Sequence, residues 1–428
     1  MPNYKIFNSS AESLRTLIYS QNASGNTPAV SDSSGNIYVR TVGSNNLPES
    51  LPYTSFGELL VAQPKPQAGW NFAYNINSGM VNSNISGTAS VAQSGGMAVL
   101  QTGTTSGSRA SIETIDVLRY VIGVGGLVRI SAIFTSGVAG GTQLIGYGDN
   151  TDGFFFGYNG NSFGVMRRRG GSDTWIPQTS WNIDKMDGSG TSGVTLNPAL
   201  GNVYQIQFQW LGYGAIGFGI ENPVTGELIL VHRIQYANAN SLPSIFNPSL
   251  PLSTRISNSG TASNIMVQTA GAMGFQEGDA GHALELTNSY AASKSTSGNV
   301  EAAIFSIRDA ATFQSKTNRV RVKTAFVSYG AEGTKDVTFR LIKNATLSGS
   351  AWISISSGSS VVDVDTSGAF VSGGKSLLYW TVSKTESDKF FLPDSLPIVI
   401  APGDTLTIAA LSTADSAVTC SMTWNEQF

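Results

Sequence analysis

The chain reads as all-β: two antiparallel β-sandwich, jelly-roll-like modules behind an extended N-terminal arm that carries one short helix. Short runs with period-two alternation recur from about residue 67 onward, each punctuated by Gly, Asn, Asp or Ser. Capped helical periodicity occurs convincingly once. Turn formers are abundant, with 48 glycines among 428 residues, and no fixed-period repeat points to a solenoid or propeller.

Near the beginning, Ser9 and Glu12 stand in capping-box spacing ahead of Leu14, Leu17 and Ile18, which predicts the helix. A polar Gly/Asn/Ser-rich stretch follows, and then Pro52, Pro64 and Pro66, which forbid a continuous central strand or helix. Residues 1–66 therefore read as an arm or adaptor.

The first module is expected over 67–276. Its clearest strand, VYQIQFQW, puts Tyr204, Ile206, Phe208 and Trp210 on one face and Gln205, Gln207 and Gln209 on the other. In GYGAIGFGI, Ile216, Phe218 and Ile220 alternate with Gly217 and Gly219, so the bare face must be flat or closely covered. ENPVTGELILVHRIQY reads as a turn from Asn222 to Gly226 and a strand from Glu227.

A composition boundary at AMGFQEGDAGHA opens the second module, 277–428. There NRVRVKTAFVSY alternates Arg319, Arg321 and Lys323 with Val320, Val322 and Thr324, and DVTFRLIKN and APGDTLTIAA continue the pattern. VTCSMTWNEQF places Val418, Cys420, Met422 and Trp424 on one face, which makes Cys420 a small core residue.

Charged residues are 12% of the chain, against about 25% in ordinary soluble domains. The net charge of −3 supplies no basic footprint for nucleic acid and no polybasic stretch for a membrane surface. No run reaches the length needed to span a bilayer, and MPNYKIFNSS lacks the order of a secretory signal. Cytoplasmic synthesis without a signal peptide is the expectation.

One cysteine excludes an intrachain disulfide, and His232 and His282 are too few for a zinc or copper site. DNTDG (149–153) and DKMDG (184–188) read as turns shaped by their Asp and Asn side chains. DVDTSG begins like a calcium loop, but Gly374 stands where its closing glutamate belongs. Glu221 and Glu227 flank a surface turn, and His232 lies in phase with Leu228, Leu230 and Ile234, as a structural histidine does. No nucleophile elbow or dinucleotide fingerprint is present. The expectation is no catalytic residue, no metal and no cofactor, and hence no enzyme.

The one concentration of positive charge is MRRRGG, with Arg167, Arg168 and Arg169. It could dock a phosphate or an acidic partner, or simply form a solvated face or interface rim. Aromatics recur beside it at Tyr158, Trp175 and Trp181. Rings on sandwich loops can stack on sugars, though most belong to a core or a subunit contact. These six residues are the candidate contacts to glycan, receptor or neighbouring subunit.

Three segments, SFGELLVAQPKPQAGWNFAYNIN, DGFFFGYNGNSFGVMRRRGGSDTWIPQTSWNIDKMDGSG and GNVYQIQFQWLGYGAIGFGIENPVTGELILVHRIQYAN, resemble a family of virion structural proteins. The family occurs in tailed bacteriophages and some large DNA viruses as fibre, tail or capsid-associated proteins. NRVRVKTAFVSYGAEGTKDVTFRLIKNATLSGSAW with APGDTLTIAA is similar to the module that commonly follows. The resemblance covers most of 51–428 and supplies no catalytic residues. It implies a β-rich component on the virion exterior, joined to other virion proteins through residues 1–66. A surface poor in charge suits burial against copies of itself, so a homo-oligomer, foremost a trimer, is expected. The alternatives are a lectin-like adhesion protein recognising host surface glycan and, behind it, a polysaccharide depolymerase.

Overall fold

The structure, a computed structural model, describes residues 19–22, 25–28, 63–278, 285–393 and 396–428. It is all-β, with antiparallel sheets paired as sandwiches. Tyr19–Asn22 and Gly25–Pro28 form a hairpin in a separate unit, Met1–Pro52. The helix expected around Ser9 to Ile18 lies outside the described residues. Residues 53–428 are one unit containing both sandwiches.

The first sandwich faces a seven-stranded sheet against a nine-stranded one. The seven strands run in the order Ser172–Pro177, Ser162–Arg169, Gly153–Asn159, Gly141–Gly148, Leu250–Asn258, Arg109–Leu118 and Val81–Ser86. Between the sheets lies an aromatic core. Tyr147 stacks on Phe208 at 4.8 Å, and Phe156 meets Tyr204 at 5.0 Å and Phe218 edge-on at 5.3 Å.

Local chemistry explains the exceptions to simple alternation. Pro64 and Pro66 lie in Pro64–Asn71, which pairs only with Gly271–Glu277, so neither missing N–H is needed at a ladder beyond it. The sheet therefore begins two residues before the expected end of the arm. Pro251 sits in an interior strand, but at a register shift, where the next amide, Leu252 N–H, donates to Thr114 Oγ1 at 3.0 Å. The bare face at Gly217 and Gly219 is closely covered. A Cβ there would lie 3.1 Å from Leu230 Cδ1 and 2.9 Å from Leu228 Cδ2 respectively.

The second sandwich pairs a five-stranded sheet with a six-stranded one. Ser416–Gln427 runs through the middle of the five-stranded sheet, between Glu285–Thr296 and Arg321–Gly333, and buries Val418, Cys420, Met422 and Trp424. Burial pushes the Cys420 thiol up to about 12, so it packs as a small apolar group. Arginine contacts join the two sandwiches. Arg319 pairs with Asp149 and Arg321 with Asp116. Arg119 donates to the Phe428 carbonyl at 3.1 and 3.2 Å and faces Glu285 at 3.8 Å.

Candidate functional site

Strand alternation sends the three arginines of MRRRGG to opposite sides of their sheet. Arg167 and Arg169 share the inward parity of Val165 and pin the segment 236–246. Their Nη1 atoms donate to Tyr236 Oη at 3.1 and 2.7 Å, and Arg169 also reaches the Pro243 carbonyl at 3.2 Å. Their planes lie over the rings of Tyr236 and Phe246. Both are thus engaged with the chain's own returning segment. Arg168 points the other way and makes a two-pronged pair with Asp173 at 2.7 and 3.0 Å.

The aromatics divide in the same way. Trp181 is 3% exposed and packs edge-on against Phe156 and Phe163 in the first core, so it offers no surface to a sugar. Tyr158 is half-buried beside Phe163 at 5.0 Å, with its hydroxyl pKa raised by burial. Trp175 is half-buried over a small cluster of Leu144, Phe155 and Met166 on the outer side of the seven-stranded sheet. The Phe155 ring lies across Gly148 and Gly153, where a Cβ would come within 2.6 and 2.7 Å of it. Of the six candidate contacts, Arg168 lines a groove and Trp175 packs against a cluster that shares Leu144 with it.

That groove, about 560 Å³, runs over the outer face of the seven-stranded sheet. The register assembles it. Arg255 stands opposite Ser111 and Leu144, and Ser111 stands opposite Asn84. Arg109 and Glu113 flank Ser111 along its strand. Arg255 donates to Glu113 Oε1 at 2.7 Å and to Asn150 Oδ1. Burial pulls the Arg255 guanidinium below its ordinary pKa, with Glu113 opposing.

Asn150 is presented by the DNTDG turn, which its own aspartates shape. Asp149 Oδ1 accepts from Thr151 N–H and Oγ–H, both at 2.7 Å, and from Asp152 N–H at 3.0 Å. Against the penalty of burial, these bonds and Arg319 hold Asp149 below the usual carboxylate range. Asp152 Oδ1 accepts from Phe246 N–H at 2.9 Å. The DKMDG and DVDTSG carboxylates act similarly, Asp184 accepting from Met186 and Ser192 amides and Asp365 from Ser367. Among the described residues no three His, Cys, Asp or Glu side chains form a group that could hold a metal.

Two buried groups lie away from the groove. His232 accepts at Nδ1 from Asn182 N–H at 3.2 Å, and burial lowers its pKa. Asp309, fully buried in the second sandwich, accepts from Asn318 Nδ2 at 2.6 Å, while its Oδ2 has no partner among the described residues. Burial raises its pKa from an ordinary 3.8 to about 8, with Glu426 and Asp404 adding repulsion and Arg321 opposing.

Arg109, Glu113, Asn150 and Arg255 escaped the sequence reading because their convergence is long-range: Glu113 and Arg255 are 142 positions apart. The available signal was Arg255, the one charge in Leu250–Asn258, and the three charges Arg109, Glu113 and Asp116 in Arg109–Leu118.

No family model matches the chain, and no curated protein matches it at a significant level. Among solved structures, the carbohydrate recognition domain of Emp47p is 10% identical, covering 50% of this chain and 98% of that one with a TM-score of 0.32. A glycosyl hydrolase family protein from Mycobacterium fortuitum is also 10% identical, covering 48% and 97% with a TM-score of 0.32. Peanut lectin with a 9mer peptide gives 10%, 49%, 97% and 0.32 for the same four quantities. Likenesses at this level say nothing about ligand or activity.

Proposed function

We propose that this chain is a non-catalytic adhesion protein whose first sandwich holds surface glycan in the groove over the seven-stranded sheet. The observation that carries the reading is that two arginine–carboxylate pairs, Arg255 with Glu113 and Arg168 with Asp173, line one hollow. Five of its fifteen lining residues are charged; the hollow over the five-stranded sheet also has five, Lys294, Glu332, Glu386, Asp388 and Lys389, but among the described residues no ion pair joins them. Half-buried ion pairs are poor devices for stability, so their gathering in one hollow of a charge-poor protein supports a binding role. Guanidinium, carboxamide and carboxylate groups side by side match the paired donors and acceptors of adjacent sugar hydroxyls.

Hydrolysis would need one carboxyl free to give a proton and another some 5–10 Å away. Both groove carboxylates are instead committed to arginines. The test is a glycan array probed with the whole chain. Binding by the wild type, lost in Arg255→Gln and Asn84→Ala without release of reducing sugar, is the expected result. An array with no bound glycan would sink the reading.

The sequence resemblance supports a setting for this activity: the exterior of a bacteriophage particle, with residues 1–66 attached to other virion proteins and the chain assembled as a homotrimer. Deleting residues 1–66 should abolish incorporation into particles while leaving glycan binding by the isolated protein intact. Normal incorporation of the deleted chain would remove the attachment role.

A further inference from the structure

We propose that the saccharide taken by this groove is acidic and that Arg109 holds its carboxylate; the inference rests on the reading of the groove as a glycan site. Three guanidinium groups line the hollow, Arg109, Arg168 and Arg255, against two carboxylates, Glu113 and Asp173. The groove therefore carries one excess positive charge in a chain whose net charge is −3. Two of the three cations are satisfied internally, Arg168 by Asp173 and Arg255 by Glu113, each at 2.7 Å. Arg109 is exposed and has no hydrogen-bond or ion-pair partner among the described residues.

Its surroundings fit an anion better than a fourth ion pair. In the register Arg109 stands opposite Ser86 on one side and Ser257 on the other, and Ser257 stands opposite Thr142. This row contains hydroxyls and no carboxylate. Small side chains leave the guanidinium fork room over the groove, and hydroxyl donors beside it can serve the outer lone pairs of a planar carboxylate. Further along, Asn84 and the Arg255–Glu113 pair offer mixed donors and acceptors for neutral ring hydroxyls. The groove is thus polarised, with a free cation at one row and neutralised pairs at the next.

The experiment uses the full chain on an array in which each acidic saccharide is printed beside its carboxyl-reduced twin. A sulfated neutral polymer serves as a further arm. The expected result is preference for the acidic member by about tenfold or more, the weight of one charge-assisted hydrogen-bond pair. Arg109→Gln should bring that member down to the level of its twin with the melting temperature unchanged, and Arg109→Lys should restore part of the preference. Equal binding of both twins, with both abolished by Arg255→Gln, would overturn the acidic ligand and leave the glycan site standing. Equal binding of the sulfated polymer would overturn carboxylate recognition in favour of general polyanion attraction. No binding at any spot would bring down the site itself, and this inference with it.

Discussion

Each sandwich turns one broad sheet face to solvent, and the two faces have been furnished in opposite ways. Over the five-stranded sheet the hollow is larger, about 1050 Å³, against about 560 Å³ over the seven-stranded one. The larger hollow is lined by charged groups too, Lys294, Glu332, Glu386, Asp388 and Lys389, but among the described residues no ion pair joins them, and hydroxyls satisfy one another across its strands, Ser293 with Thr419 at 2.9 Å and Ser328 with Ser421 at 2.6 Å. The smaller carries guanidinium and carboxylate groups brought together from separate strands. Neutral hydroxyl pairs cost little wherever they stand, whereas partly desolvated charges need a reason to be gathered. The two hollows thus differ in how their charges are paired as well as in volume.

The contrast can be broken by substitution. Arg255→Gln leaves Glu113 without its cation and should lower stability by about 3 kcal/mol in urea unfolding, together with loss of groove binding. Asp309→Asn tests a carboxylate that has no cation of its own. Because its folded pKa is raised, the native state keeps a proton that the unfolded chain releases, between an ordinary 3.8 and about 8. Native stability should accordingly fall as pH rises through that window and level off above it. The asparagine variant should gain about 2 kcal/mol at neutral pH and flatten the slope. An unchanged pH profile would show that Asp309 is ionised at little cost.

Smaller effects sharpen the same point. Arg319→Gln removes the contact on Asp149 and should cost about 1 kcal/mol, while weakening glycan binding several-fold through the turn that presents Asn150. Unaltered affinity would show that the groove stands without help from the second sandwich. On the hydroxyl-lined face, Ser328→Ala should fall within about 0.5 kcal/mol of the wild type. A loss as large as that of Arg255→Gln would erase the difference between the faces.

Strands were legible in the sequence wherever one side of the backbone meets a core. The inward residues Tyr204, Ile206 and Phe208, and Val418 to Trp424, follow directly from period-two alternation. Turns were legible because Asp149 and Asp184 bond to amides a few residues away. His232 was legible as structural, although a bulge between Phe218 and Gly219 shifts the phase of its strand. The groove was not legible, since the register between strands distant in sequence decides which charges meet. Nor was the fate of MRRRGG. Alternation says that Arg168 parts from Arg167 and Arg169, but only the returning segment 236–246 shows what the latter pair hold.

Arg319 ends on Asp149, and the same turn reaches the groove through Asn150. The second sandwich is therefore felt at the groove: a change that moves Arg319 moves Asp149 and, with it, the carboxamide beside Arg255.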